Sequence, residues 1–163
     1  MRKKLTIGLA AALALMSTAA GYAATATSNF AVQIVISAQC LAATTSTLDF
    51  GTSGVLAANV DATNSLQVTC TNTTPYNIGF NAGTGSGATV ATRKMTNGAN
   101  TINYTIYSDS GRTTVWGNTV GTDTVAGTGN GAAQNYTSYG RVLAQTTPAP
   151  GTYADTITVT VTY

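Results

Sequence analysis

The 163-residue chain carries seven basic and five acidic residues, no histidine and no glutamate, and only 7% of it is charged. The usual general bases and the commonest metal ligand are therefore missing, so that an enzyme would have to work with aspartate, tyrosine and hydroxyls alone. Four scattered cations beyond the leader, Arg93, Lys94, Arg112 and Arg141, cannot neutralise the row of phosphates that a nucleic acid presents.

The leader comes first along the chain. Arg2, Lys3 and Lys4 precede an apolar run over residues 5–16 and small residues up to Ala24, the pattern of a secretory signal peptide assigned to residues 1–24. Cleavage after Ala23, Ala24 or Ala26 fits the small-residue rule. The run is too short for a spanning helix, which needs ~20 apolar residues, so no membrane-spanning segment is expected in the mature chain. Beyond the leader, the four cations face five aspartates, a net charge of about −1. Threonine, valine and tyrosine favour a pleated surface, while glycine and asparagine favour turns, so an all-β domain of ordinary size is expected.

The first strand signal covers residues 30–38, where Phe30, Val32, Ile34 and Ile36 fall on one face of an extended chain. Cys40 follows, and Cys70 is the second and last cysteine. In an exported chain the two are expected to pair, and closing a loop of about 30 residues contributes ~3.6 kcal/mol on the chain-entropy model. No histidine is present to activate either sulfur as a catalytic thiol. Further strands are expected over residues 47–50, 65–71, 76–81, 101–108, 135–143 and 153–163. Turn clusters at residues 51–54, 83–87, 97–98, 109–111, 127–131 and 148–151 separate them, a punctuation that reads as a sandwich or barrel.

The last run is the cleanest signal. Ile157, Val159, Val161 and Tyr163 alternate with Thr156, Thr158, Thr160 and Thr162, giving one apolar and one hydroxylated face. No residues follow it in this chain to form a neighbouring strand, so a strand needed there is expected to come from elsewhere.

Other features have plainer readings. The glycine clusters at residues 83–87 and 127–131 lack the Lys-Ser/Thr and the helix of a phosphate loop and read as loops. The aspartates are dispersed singly. A glycosidase needs two converging acids, and calcium needs clustered oxygens that Asp61 and Asp123 do not bring. Tyr104, Tyr107, Trp116, Tyr136 and Tyr139 suit a sugar-binding platform, but their alternation with Ile102 and Ile106 favours strand packing. The Asn-x-Thr triplets at Asn72, Asn103 and Asn135 are expected by chance in so threonine-rich a chain.

Taken in order, these residues carry a resemblance: Cys40, Leu48-Asp49-Phe50-Gly51, Leu66 to Cys70, Tyr76 to Phe80 with Gly83, and Arg93-Lys94-Met95. It continues through Asn103 to Tyr107, Trp116, Tyr139-Gly140-Arg141-Val142, and Gly151 to Asp155 with the threonine-valine run. The chain resembles the spore coat protein U domain family, which is also the pilin domain of archaic chaperone-usher pili.

The resemblance implies an immunoglobulin-like β-sandwich lacking its last strand and completed by donor-strand exchange, with the domain over residues 39–163 and the donor segment over residues 25–38. Within the donor, Phe30 and Val32 are the main plugs, with Ala26 a shallow one and Ile34 at the far end. Ile157, Val159, Val161 and Tyr163 form the edge with which a chaperone, and later a donor, pairs. The resemblance further implies a periplasmic chaperone, an outer-membrane usher and head-to-tail copies of the subunit as partners. The expected place is a surface pilus supporting adhesion and biofilm formation, with a rod or minor shaft position; a protective coat and a monomeric carbohydrate-binding module are the alternatives. No cofactor, metal or catalysis is expected.

Overall fold

The computed structural model describes residues 21–44 and 46–163. The signal peptide expected over residues 1–24 therefore lies almost wholly outside the described residues. Among the described residues no helix is long and apolar enough to cross a membrane. The chain divides into two units, Met1–Ile34 and Val35–Tyr163. In the described part of the first unit no residue is in a strand, and Phe30, Val32 and Ile34 are 86%, 85% and 81% exposed. The strand expected over residues 30–38 is thus not formed: the apolar alternation is present, but no partner ladder satisfies its backbone.

The second unit is an immunoglobulin-like β-sandwich of eight strands: β1 Cys40–Thr44, β2 Val60–Cys70, β3 Pro75–Phe80, β4 Arg93–Asn97, β5 Asn100–Tyr107, β6 Val125–Thr128, β7 Ala133–Val142 and β8 Val159–Thr162. One sheet runs β1-β2-β7-β5-β4 and the other β6-β3-β8, with every pairing antiparallel. The longest ladder joins β2 to β7 over ten residue pairs, from Val60↔Val142 to Thr69↔Ala133. Its register puts Leu66 and Val68 toward the core, and slipping it by one residue would turn both to solvent.

Several strand expectations shift. Residues 47–50 make no ladder, although Leu48 and Phe50 still turn inward and pack on the core. They settle where Gly140 of β7 has no side chain; a Cβ there would come within 2.8 Å of Leu48 and Phe50. The terminal strand is shorter than residues 153–163, with regular pairing only over β8 and an isolated bridge between Ala154 and Thr96. Strands β1, β4 and β6 were not expected. All three are edge strands of four or five residues, too short and too rich in small or polar side chains to offer much alternation to read.

The two sheets are tied together by a strap over residues 115–118. The Trp116 backbone N–H donates to Ile106 of β5, while the Phe80 N–H of β3 donates to Gly117. Trp116 stacks on Phe80 with ring centroids 4.4 Å apart, and its indole N–H donates to the Ile78 carbonyl at 2.8 Å. Beside it lies Arg93, fully buried and without a carboxylate in contact; its guanidinium donates to the carbonyls of Phe80, Asn81, Val90 and Trp116. Four neutral acceptors replace the water it gives up. Burial nonetheless draws its pKa down, partly countered by Tyr104, Asp155 and Asp123.

Candidate functional site

The three-stranded sheet does not cover the whole inner face of its partner. Beyond its reach lies an open cleft of about 1110 Å³, larger than the ~300–1,000 Å³ usual for small-molecule pockets. Residues 46–56 form one wall, and residues 147–157, running into β8, form the other. Met95, Ile102, Tyr104, Ile106 and Val142 make the floor.

The cleft divides the core into two qualities of burial. Core residues away from it, Leu66, Val68, Cys70, Tyr76, Ile78 and Trp116, are at most 1% exposed. Leu56, Phe80, Tyr104, Ile106 and Val142, which line it, keep 2–6%. Leu48, Phe50, Val60, Met95, Ile102, Ile157 and Val159 line it while only partly buried. A domain with this much half-covered apolar surface gains from anything apolar that fills the space.

The wall at β8 also carries an unpaired edge. β8 bonds to β3 on one side, with Val159 opposite Phe80 and Thr162 opposite Asn77. The Asn81 N–H donates to the Thr158 carbonyl, and the Thr158 N–H donates to the Asn81 side chain, so Thr158 faces β3. By strand alternation the backbone groups of Ile157, Val159 and Val161 point the other way, and among the described residues no ladder takes them up. Their side chains are the half-buried ones of the run, whereas Thr158, Thr160, Thr162 and Tyr163 are exposed. Ile157, Val159 and Val161 therefore present apolar side chains to the core and free backbone donors and acceptors along one edge.

At the other end this wall is pinned by Asp155. Its Oδ2 accepts from the Tyr104 hydroxyl at 2.7 Å, and its Oδ1 accepts from the Thr84 N–H at 2.7 Å, the Thr84 hydroxyl at 2.9 Å and the Thr156 N–H. Burial works to raise this carboxyl, but these donors outweigh it and hold it below the ordinary carboxylate value. Burial, followed by the bond to Asp155, pushes the Tyr104 phenol well up. Gly83 makes room for the arrangement: its φ is +84°, and a Cβ there would collide with the Asp155 carboxylate. The sequence around Asp155 does not reveal this anchor, because Thr84 and Tyr104 lie 71 and 51 positions away.

The remaining sequence-predicted residues separate. Cys40 and Cys70 are joined by a disulfide that staples β1 to β2 at directly opposed positions. Ala26, Phe30, Val32 and Ile34 are all exposed. The five aspartates occupy five different places: Asp61 is gripped by Arg141, Asp109 accepts from Thr113 and Thr114, Asp123 from Thr119, Asp49 from Gly51, and Asp155 sits as described. The aromatic residues form no common platform. Tyr104 and Trp116 are in the core and Tyr136 binds the Tyr76 hydroxyl, while Tyr107 and Tyr139 pair on the outer face with Arg112 over Tyr139. Among the described residues no group of three or more His, Cys, Asp or Glu is placed to hold a metal.

Comparison with known proteins fits this geometry. The profile of the Spore Coat Protein U domain matches residues 26–160. The chain belongs to the spore coat protein U domain family. Protein U of Myxococcus xanthus is 33% identical over 176 residues, an alignment that takes in 99% of this chain and 98% of that protein. Among solved structures, the domain is similar to a chain of the CsuC–CsuE chaperone–tip adhesion subunit pre-assembly complex from archaic chaperone-usher Csu pili of Acinetobacter baumannii. That similarity has a TM-score of 0.55 and 26% identity over 77% of this chain. The matched region is 40% of the other chain's length. An all-β sandwich stapled by one disulfide is thus set in a family that includes relatives of coat proteins and of pilus subunits.

Proposed function

We propose that this spore coat protein U domain is a structural subunit of a surface fibre assembled by the chaperone-usher route, in which each copy fills its neighbour's cleft with residues 25–34. The observation that carries the reading is an open apolar cleft beside an unpaired strand edge, in a chain that also holds an exposed, strand-patterned apolar segment. Strand addition would satisfy the edge of β8 and cover the half-buried residues in one step. Burying three or four plugs, with Phe30 and Val32 foremost and Ile34 and the shallow Ala26 beside them, contributes ~5–12 kcal/mol before ordering costs. Donor and cleft are different surfaces, so the contact repeats into an open filament and not a closed dimer.

Before assembly the same edge needs protection, which is the role proposed for a periplasmic chaperone, with an outer-membrane usher as the exit. Adhesion and biofilm formation are the proposed outcome at the cell surface, and no catalytic role is assigned. A second reading, a protective coat built by the same contact, is favoured by the family's description and by the likeness to Protein U.

The test is assembly itself. Purified fibres are expected to resist SDS until heated, and a chain lacking residues 25–32 is expected to fold but stay monomeric. A truncated chain that still builds SDS-resistant ladders would sink the proposal. A monomeric carbohydrate-binding module would be untouched by the deletion. Production confined to resting cells, without an accompanying usher, would favour the coat.

A further inference from the structure

Tyr104 touches both walls of the cleft. It stands on the floor, on β5, and its ring meets Phe50 of the 46–56 wall edge-on with centroids 6.0 Å apart. Its hydroxyl donates to Asp155 of the opposite wall. Behind Asp155 the bonds from Thr84 fix the carboxylate to the loop after β3, and the Ala154–Thr96 bridge fixes the neighbouring backbone to β4. Behind Phe50, Gly140 leaves the hollow that seats Leu48 and Phe50. The two walls are otherwise joined by few bonds, chiefly the Leu56 N–H to the Thr147 hydroxyl at the far end. One side chain thus reaches from one wall of the cleft to the other.

We infer that Tyr104 and Asp155 form a spacer that holds the cleft at the width an incoming strand requires, so that the pair acts as a positioning element for strand uptake and not merely as part of the core. The inference rests on the proposed strand-donation function. A spacer works through geometry: the Thr84 bonds and the Ala154–Thr96 bridge keep the wall attached on its outer side, but without the hydroxyl bond nothing fixes its distance from the floor, and it can settle over the half-covered apolar residues before any strand arrives. Because those other ties keep the wall folded in place, removing the bond to the ionised acceptor should slow uptake more than it lowers stability.

A matched control is built into the molecule. The Tyr136 hydroxyl bonds Tyr76 at 2.6 Å on the covered side, and neither residue lines the cleft. Tyr136→Phe and Tyr104→Phe each delete one phenolic bond, the second to a carboxylate and so the costlier, and a purely structural role predicts that association falls in proportion to the stability each loses. The experiment uses the full chain and a fluorescent synthetic peptide of residues 25–36, with association and dissociation rates read by anisotropy and the urea midpoint measured alongside. The chain is kept dilute and the peptide in excess, so that capture of the peptide outruns exchange between copies.

Tyr104→Phe and Asp155→Ala are expected to slow peptide association about five- to tenfold, out of proportion to their loss of stability, and Tyr136→Phe to leave it unchanged. Asp155→Asn, which retains an acceptor oxygen, should recover part of the rate. The double variant Tyr104→Phe/Asp155→Ala should be no slower than the worse single one, because both break the same bond. If Tyr104→Phe and Tyr136→Phe affect association alike, or if the double variant is additive, the spacer is refuted. If the unaltered chain captures no peptide at all, it is the strand-donation reading that fails.

Discussion

The covered half of the sandwich and the half that opens into the cleft are made of the same residue types, yet they end in different states. Where β3 and β6 lie over β2 and β7, Leu66, Val68, Tyr76 and Ile78 are closed off by a second layer, and the Tyr76–Tyr136 bond seals the contact. Beyond that layer Val60, Met95, Ile102, Ile157 and Val159 have the same apolar character but only one layer of neighbours. The difference lies in the number of strands available to cover them, and the proposed strand donation would supply one more.

Four experiments break or sharpen that contrast. The largest loss is expected for Arg93→Met, which removes the fork that ties four carbonyls across the two sheets and leaves those acceptors buried and unpaired. A loss of about 3–5 kcal/mol should show in urea unfolding, and Arg93→Lys should recover little, since one ammonium cannot reproduce the planar fork. Next comes a pair of truncations. Ile78→Ala should cost ~2–5 kcal/mol in the free subunit and in the fibre alike. Val159→Ala should cost the free subunit under about 1.5 kcal/mol and the fibre clearly more, because its site is completed only by the added strand. Equal costs for Val159→Ala in subunit and fibre would dissolve the contrast.

Reducing the disulfide is expected to remove ~2–4 kcal/mol, measured by comparing denaturant midpoints with and without reductant. The smallest effect is in pH. Asp155 has its carboxyl held below the ordinary value, so its contribution is complete above about pH 4 and is lost as the pH falls through the lowered folded value. Asp155→Asn should flatten that part of the acid limb in urea midpoints taken from pH 5 to pH 2. An unchanged acid limb would show that the carboxylate does not anchor the wall.

Much of the fold was legible because alternation is a local property. The runs at β2, β3, β5 and β7 were readable from residues two apart, and the pairing of two cysteines in an exported chain needs no coordinates. Strands β1, β4 and β6 escaped because short edge strands bury too little to impose a pattern. The exposed segment over residues 30–38 was readable as strand-forming but not as unformed, since alternation states a preference and says nothing of whether a partner is within reach. Asp155 shows the limit most clearly. Its sequence neighbours mark it as a turn residue, whereas its partners Thr84 and Tyr104 lie 71 and 51 positions away.

By itself, then, the sequence determined the β class, the disulfide and the apolar faces of the strands, because each follows from the periodicity or chemistry of near neighbours. Only the tertiary structure decided that one half of the core is left open, that Ile157, Val159 and Val161 keep an unpaired edge beside it, and that Tyr104 stands between its walls. Those properties depend on which distant segments meet and which do not, and solvent access to a core is settled by that alone.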